Sequence, residues 1–166
     1  MSTDITIRPI SRDDIPQVLA FIRELAHYER LEHEVLATEQ DLLEALFGEP
    51  RYAEVVFACL GPKPVGFALF FQNFSTFKGR PGIYLEDLYV RPEMRGRGVG
   101  RSLLRWMART ALVRGCARLE WAVLDWNTPS IAFYESLGAQ PLDEWRTFRL
   151  TGAALEQLGG PSPSEP

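Results

Sequence analysis

The chain is poor in the cysteines and histidines that build disulfide frameworks and metal centres, and it lacks long apolar runs. Its 166 residues include two cysteines, Cys59 and Cys116, and two histidines, His27 and His33. Both cysteines lie in apolar stretches, so they read as core thiols rather than a disulfide or a metal site. The histidines fall among glutamates without a ligand spacing that would hold a metal. No apolar run approaches the ~20 residues that cross a bilayer. The opening Met-Ser-Thr-Asp-Ile-Thr-Ile-Arg has no apolar core of a signal peptide. A cytoplasmic location is therefore expected. A net charge of −4 gives little attraction for nucleic acid or an anionic membrane and suits small cationic partners. The chain also lacks the Gly-Lys-Ser/Thr ending of a Walker A loop. Neither an internal repeat nor a linker divides it, so 1–158 is expected to be one domain, followed by a Pro/Ser/Gly tail over 159–166 without structure.

What is present is concentrated in residues 82–104. Ile83, Tyr84, Leu85, Leu88, Tyr89 and Val90 make a β-rich run, interrupted by Glu86 and Asp87 and ended by Pro92. Gly96, Gly98 and Gly100 follow, with Arg95, Arg97 and Arg101 interleaved. From Val99 the apolar residues recur at helical spacing through Leu103, Leu104, Met107 and Ala111. The order is strand, glycine turn, helix. Glycines let the backbone turn tightly, and the unpaired N–H groups of the following helix form a cradle for phosphate. A dinucleotide fingerprint needs Gly-x-Gly-x-x-Gly after the first strand of a βαβ unit, which this is not. Arg95, Gly98 and Gly100 match Arg/Gln-x-x-Gly-x-Gly/Ala instead.

The rest reads as alternating elements. Strands are expected over 4–8, 55–60, 65–71, 119–124 and 145–150. One helix should start at Ser11 and end near Tyr28; a second should be capped by Thr38 and stopped by Gly48. Residues 73–80 read as a loop. Residues 27–34 read as a solvated connection or as an acidic, aromatic rim that receives an ammonium group. Thr128 is the expected N-cap of a helix with Pro129 at its first position and Gly138 at its end. A short helix is expected over 151–158.

Two motifs carry a family resemblance. The Arg95-x-x-Gly98-x-Gly100 loop resembles the pyrophosphate loop of the GNAT acetyltransferases. Asn127-x-x-Ser130-x-x-Phe133-Tyr134-x-x-x-Gly138 resembles the segment of that family in which an Asn begins a helix and a Tyr faces the bound thiol. Within the family, the chain looks similar to diamine acetyltransferases, both spermidine/spermine and thialysine types. That similarity rests on Ile7-Arg8-Pro9, on 24–29, 38–43 and 75–79, on Tyr84-Leu85-Glu86-Asp87 and on Leu124-Asp125-Trp126-Asn127. Arg80-Pro81-Gly82 is an insertion relative to that pattern.

The resemblance implies an α/β GNAT fold: a mixed, mostly antiparallel splayed β-sheet flanked by helices on both faces. It implies an acetyl-CoA-dependent N-acetyltransferase that needs no metal and acts on a small cationic amine by direct attack in a ternary complex. Glu86 is the implied base and ammonium ligand, and Tyr134 the implied acid for the leaving thiolate. Strand alternation sends Asp87 to the opposite face from Glu86 unless a bulge intervenes. Leu88, Tyr89 and Val90 would hold the thioester arm. Residues Arg95, Gly96, Arg97, Gly98, Val99, Gly100 and Arg101 would hold the pyrophosphate, with Asn127, Ser130 and Tyr134 along the cofactor arm. Tyr28, Glu29, Glu86 and Glu120 would line the amine site. Relatives of this type are homodimers, so a dimer is expected. Two other readings stay open: acetylation of protein or peptide amines (lysine or N-terminal), and an acetyl-CoA-binding module without turnover.

Overall fold

The computed structural model describes residues 4–160. The 161–166 part of the expected tail lies outside the described residues. The described chain forms two compact units, one ending at Leu124 and one beginning at Asp125.

The first unit is built on a five-stranded sheet in the order β1 (Ile5–Pro9), β2 (Glu54–Leu60), β3 (Lys63–Ser75), β4 (Arg80–Val90), β5 (Leu119–Trp121). The first three pairings are antiparallel and β4–β5 is parallel. Val55, Phe57 and Cys59 of β2 alternate with Val56 and Ala58, so each set faces one side. On one side lie α1 (Ile15–Glu29) and α2 (Glu39–Phe47). Their Val18, Leu19, Phe21, Leu42 and Leu46 close over Val55, Phe57, Phe67 and Tyr89. Phe21 is the centre of that layer: it stacks on Phe67 at 5.4 Å and meets Phe57 edge-on at 5.5 Å. On the other side α3 (Val99–Val113) buries Val99, Leu103, Leu104 and Met107, with Trp106 against Phe70 at 5.9 Å.

Local chemistry sets the helix ends. Thr38 accepts a hydrogen bond from the Asp41 N–H, and the Asp41 carboxylate accepts one from the Thr38 N–H at 2.8 Å. A single turn of 3₁₀ helix, Arg12–Asp14, precedes α1, with Asp14 reaching back to the Ser11 N–H. Arg30, at φ 61°, stops α1, and the Leu31 N–H returns to the Ala26 carbonyl at 2.8 Å.

Two expectations need correction. Residues 73–80 are a β-hairpin end rather than a loop, since β3 runs to Ser75 and β4 starts at Arg80. Phe71 faces Tyr84 at 5.3 Å, and Gly82 lies opposite Asn73. A Cβ on Gly82 would press on the Asn73 Oδ1 and the Arg118 side chain, so glycine eases the close approach of the inserted Arg80-Pro81-Gly82 to β3. The second correction concerns 145–150, which forms no strand. Strand β5 is likewise shorter than expected, ending at Trp121.

The second unit holds α4 (Thr128–Ser136) and α5 (Gly152–Gly159). Asn127, rather than Thr128, is the N-cap of α4, which moves Thr128 and Pro129 one position into the helix. Gly138, at φ 90°, follows its last turn.

Candidate active site

The register of β4 against β3 decides the site. Asp87 is opposite Leu69 but Leu85 is opposite Phe70, so Glu86 is an extra residue in β4. This is a β-bulge. It sends Leu85 into the α3 layer and leaves Asp87 with Leu69 and Tyr89 on the α1 side. Glu86 itself is exposed. Strand alternation alone would part Glu86 from Asp87; with the bulge present, it is Asp87 that lines a cavity.

That cavity, of 340 Å³, is lined by Ile22, Leu25, Ala26 and Glu29 of α1, by Leu31 and 34–37 of the following connection, and by Asp87. Among the described residues lining it there is no cation. Burial, followed by repulsion from Glu86 and Glu29, pushes the Asp87 carboxyl up to about 7. Burial also raises Glu29. Glu34 also lines the cavity, but at its mouth, where its side chain is 70% exposed. The 27–34 connection is thus an ordered cavity wall, with a 3₁₀ turn over Glu32–Glu34. His27 and His33 pair with Glu32 and Glu34 on the solvent side. No group of metal-binding side chains occurs among the described residues.

Beside this cavity the sheet opens. Strand β5 pairs with β4 only from Ile83 to Leu85 and stops before the bulge. The Arg91 N–H bonds to the Val65 carbonyl at 2.9 Å, so by antiparallel alternation Asp87 and Tyr89 also turn their backbone groups to β3. Leu88 and Val90 turn theirs to the open edge. Tyr89 thus differs from its two neighbours: its N–H belongs to the sheet, and its ring is in the core. Its hydroxyl bonds to Glu24, and burial first, then that bond, pushes it up to about 12.

The glycine loop follows. Gly96 and Gly98 take φ 74° and 81°, the left-handed region that glycine enters without strain. A Cβ at either would meet no atom within 4 Å, so the space in front of the loop is clear. The first intrahelical bond of α3 runs from the Ser102 N–H to the Gly98 carbonyl. The N–H groups of Val99, Gly100 and Arg101 are therefore the first-turn donors. This donor set, with exposed Arg97 and Arg101, fits a diphosphate. Arg95 does something else. Its Nε donates to the Val90 carbonyl at 3.0 Å, and its guanidinium lies over Tyr28 at 4.7 Å and Tyr89 at 5.8 Å. Arg95 and Tyr28 are therefore packed together between the loop and α1.

Glu120 lies outside the acidic cavity. It pairs with Arg118 at 3.0 Å and accepts from Asn73 Nδ2 at 3.1 Å. In the second unit, Asn127, Ser130 and Tyr134 fall three and four residues apart, on one face of α4. Asn127 is buried and Tyr134 half-buried against Phe133, at 5.6 Å.

Sequence reasoning did not bring Glu34 and Asp87 to one cavity. Both lie within motifs that were noted, but only the bulge and the fold of 31–37 tell which carboxylates share a cavity.

A bulged, splayed sheet beside a glycine-loop helix defines the class of acyl-CoA-binding N-acetyltransferases. The profile of the Acetyltransferase (GNAT) family matches residues 18–139, and the chain belongs to that family. It is an N-acetyltransferase, and the family uses acetyl-CoA as cosubstrate. It is 42% identical to the thialysine N-epsilon-acetyltransferase of Bos taurus over 94% of this chain and 98% of that protein. It is 33% identical to the L-ornithine N5-acetyltransferase of Arabidopsis thaliana over 92% of this chain and 86% of that one. Among solved structures, an integron cassette protein from Vibrio cholerae superposes with a TM-score of 0.79 at 28% identity, covering 95% of this chain and 99% of that one.

Proposed function

We propose that the protein acetylates a primary amine of a small cationic substrate: a diamine, a polyamine or a basic amino acid such as thialysine or ornithine. The observation that carries this is the cavity at Asp87, which sets Asp87 and Glu29 among apolar walls with no cation among its described lining residues. Such a site binds an ammonium group by charge and an alkyl chain by contact. The relatives named for thialysine and ornithine support the same class.

An alkylammonium has a pKa near ~10.4, so it must lose a proton before it attacks. In this proposal Asp87 and Glu29 hold the cation, and exposed Glu86, through water, takes the proton. The free amine attacks the thioester carbonyl, and a C–N bond forms. The negative oxygen is met by the outward N–H groups of Leu88 and Val90. The C–S bond then breaks, the departing thiolate takes a proton from the Tyr134 hydroxyl, and the nitrogen sheds its second proton, which restores the phenol and leaves a neutral amide. The donors of 96–101 hold the diphosphate of the cosubstrate, and Asn127 and Ser130 hold its arm.

The test is a panel of thialysine, lysine, ornithine, short diamines, spermidine and a lysine peptide, read by CoA release and product mass. Rapid transfer to one small cationic amine is expected. Transfer to the peptide alone would overturn the small-amine assignment. In the same assay, Gly98→Ala forces a left-handed position on alanine, a strain of about 1–2 kcal/mol. It is expected to raise the KM for acetyl-CoA several-fold and leave the KM for the amine unchanged.

A further inference from the structure

Helix α3 contains no acidic residue, and its outer face is cationic. Arg101, Arg105 and Arg109 recur every fourth residue, and all are exposed. Four residues of helix rise about 6 Å, so the three side chains leave one face as evenly spaced rungs. Like charges at this spacing repel one another. Arg101 also stands in the first turn, the end of the helix dipole that disfavours a cation. The fold does not answer these charges. Among the described residues the ion pairs of arginine are Arg8 with Asp14, Arg91 with Glu24, Arg114 with Glu54 and Arg118 with Glu120, and none involves a residue of α3. Arg114, just past the helix end, shows the contrast: the Glu54 carboxylate accepts from both of its terminal nitrogens, at 2.7 and 2.9 Å.

The cosubstrate brings more anion than the glycine loop can use. Acetyl-CoA carries a diphosphate on the 5′ side of its ribose and a further phosphate on the 3′ side. The N–H groups of Val99, Gly100 and Arg101, with the side chains of Arg97 and Arg101, suit the diphosphate. The 3′-phosphate stands one ribose away from it, a span comparable to one helical turn. Arg105 is one turn past Arg101 on the same face, and Arg109 is two.

We propose that Arg105 binds the 3′-phosphate of the cosubstrate and so sets a preference for thioesters of CoA over those of dephospho-CoA. A guanidinium offers a phosphate two parallel N–H donors, which makes the pairing directional as well as ionic. The site is open to solvent, so salt screens it. Arg109 is the control within the same helix: it has the same chemistry and exposure but lies a further turn from the loop. The proposal rests on the diphosphate lying at 96–101 and is independent of which amine is acetylated.

The test is equilibrium binding of CoA and of dephospho-CoA to the full chain by titration calorimetry. The wild type is expected to bind CoA about tenfold more tightly, as one charge-assisted contact at a surface allows, and this advantage should shrink as salt is raised. Arg105→Gln should weaken CoA by about the same factor and leave dephospho-CoA nearly unchanged, which also shows that the variant is folded. Arg109→Gln should change neither appreciably. Initial rates with the two acetylated donors should repeat the pattern in the donor KM, with kcat unaffected. Equal affinity of the wild type for the two nucleotides would overturn the proposal. So would an equal loss of both in Arg105→Gln, or a loss in Arg109→Gln as large as that in Arg105→Gln. A wild type that binds neither nucleotide would overturn the placement of the diphosphate along with it, whereas the amine panel would still report on the substrate.

Discussion

Replacing Asp87 with Asn is expected to lower kcat/KM for the amine by about 10²–10³, the range for loss of a buried charge partner, while making the protein more stable above pH 7. The two effects have one cause. In the free protein Asp87 is neutral below about 7 and ionised above it. A cationic substrate binds the ionised form, so kcat/KM in the wild type should climb as pH rises through about 7, and that limb should vanish in Asp87→Asn. Stability runs the other way. Between the ordinary carboxylate value of 3.8 and about 7 the folded protein holds a proton that the unfolded chain has released. Stability therefore falls as pH rises through that window, by about 1.4 kcal/mol per unit at most. Asn carries no charge to desolvate, so the variant should lose this slope. Urea unfolding at pH 5 and pH 8 checks the stability arm, and initial rates across the same range check the kinetic arm. Glu86→Gln provides the contrast. It is expected to reduce kcat yet keep the limb near pH 7, because Glu86 is exposed and Asp87 is not. A limb that disappears with Glu86→Gln and survives Asp87→Asn would reverse the roles given to the two carboxylates.

Tyr134→Phe should lower kcat by about 10²–10³ at neutral pH with little change in either KM. General acid catalysis contributes on that scale, and the substitution keeps the ring that packs on Phe133. The loss should shrink with an acyl donor whose thiol leaves readily without a proton, such as an aryl thioester of acetate. An equal loss with both donors would assign Tyr134 to structure. Because Phe preserves the side chain's apolar volume, a change in melting temperature of more than a few degrees would point the same way.

Most of the elements were legible because their signals are local. The capping box at Thr38, the stop at Gly48, the apolar stripe of α3 and the glycines before it act within one or two turns of chain. The hairpin around 76–79 was harder to read. It pairs Asn73 with Gly82, residues that look like loop when read in order. The strand at 145–150 was read from composition alone, and composition cannot supply a hydrogen-bonding neighbour. Glu120, an amine-site carboxylate only by the family resemblance, is engaged in the fold by Arg118 and Asn73.

By itself the sequence determined the family chemistry. The Arg95-x-x-Gly98-x-Gly100 turn and the Asn127, Ser130, Tyr134 spacing are short-range features, set by backbone conformation and helix period. The tertiary structure alone decided which carboxylate lines the cavity. Glu86 and Asp87 are neighbours in the chain, and their fates divide on one extra residue in the pairing of β4 with β3. Register is a relation between strands, and burial is a relation between elements. Neither is written in the order of the residues, so the acidic cavity at Asp87 came into view only once α1, the 31–37 connection and the bulge had been brought together.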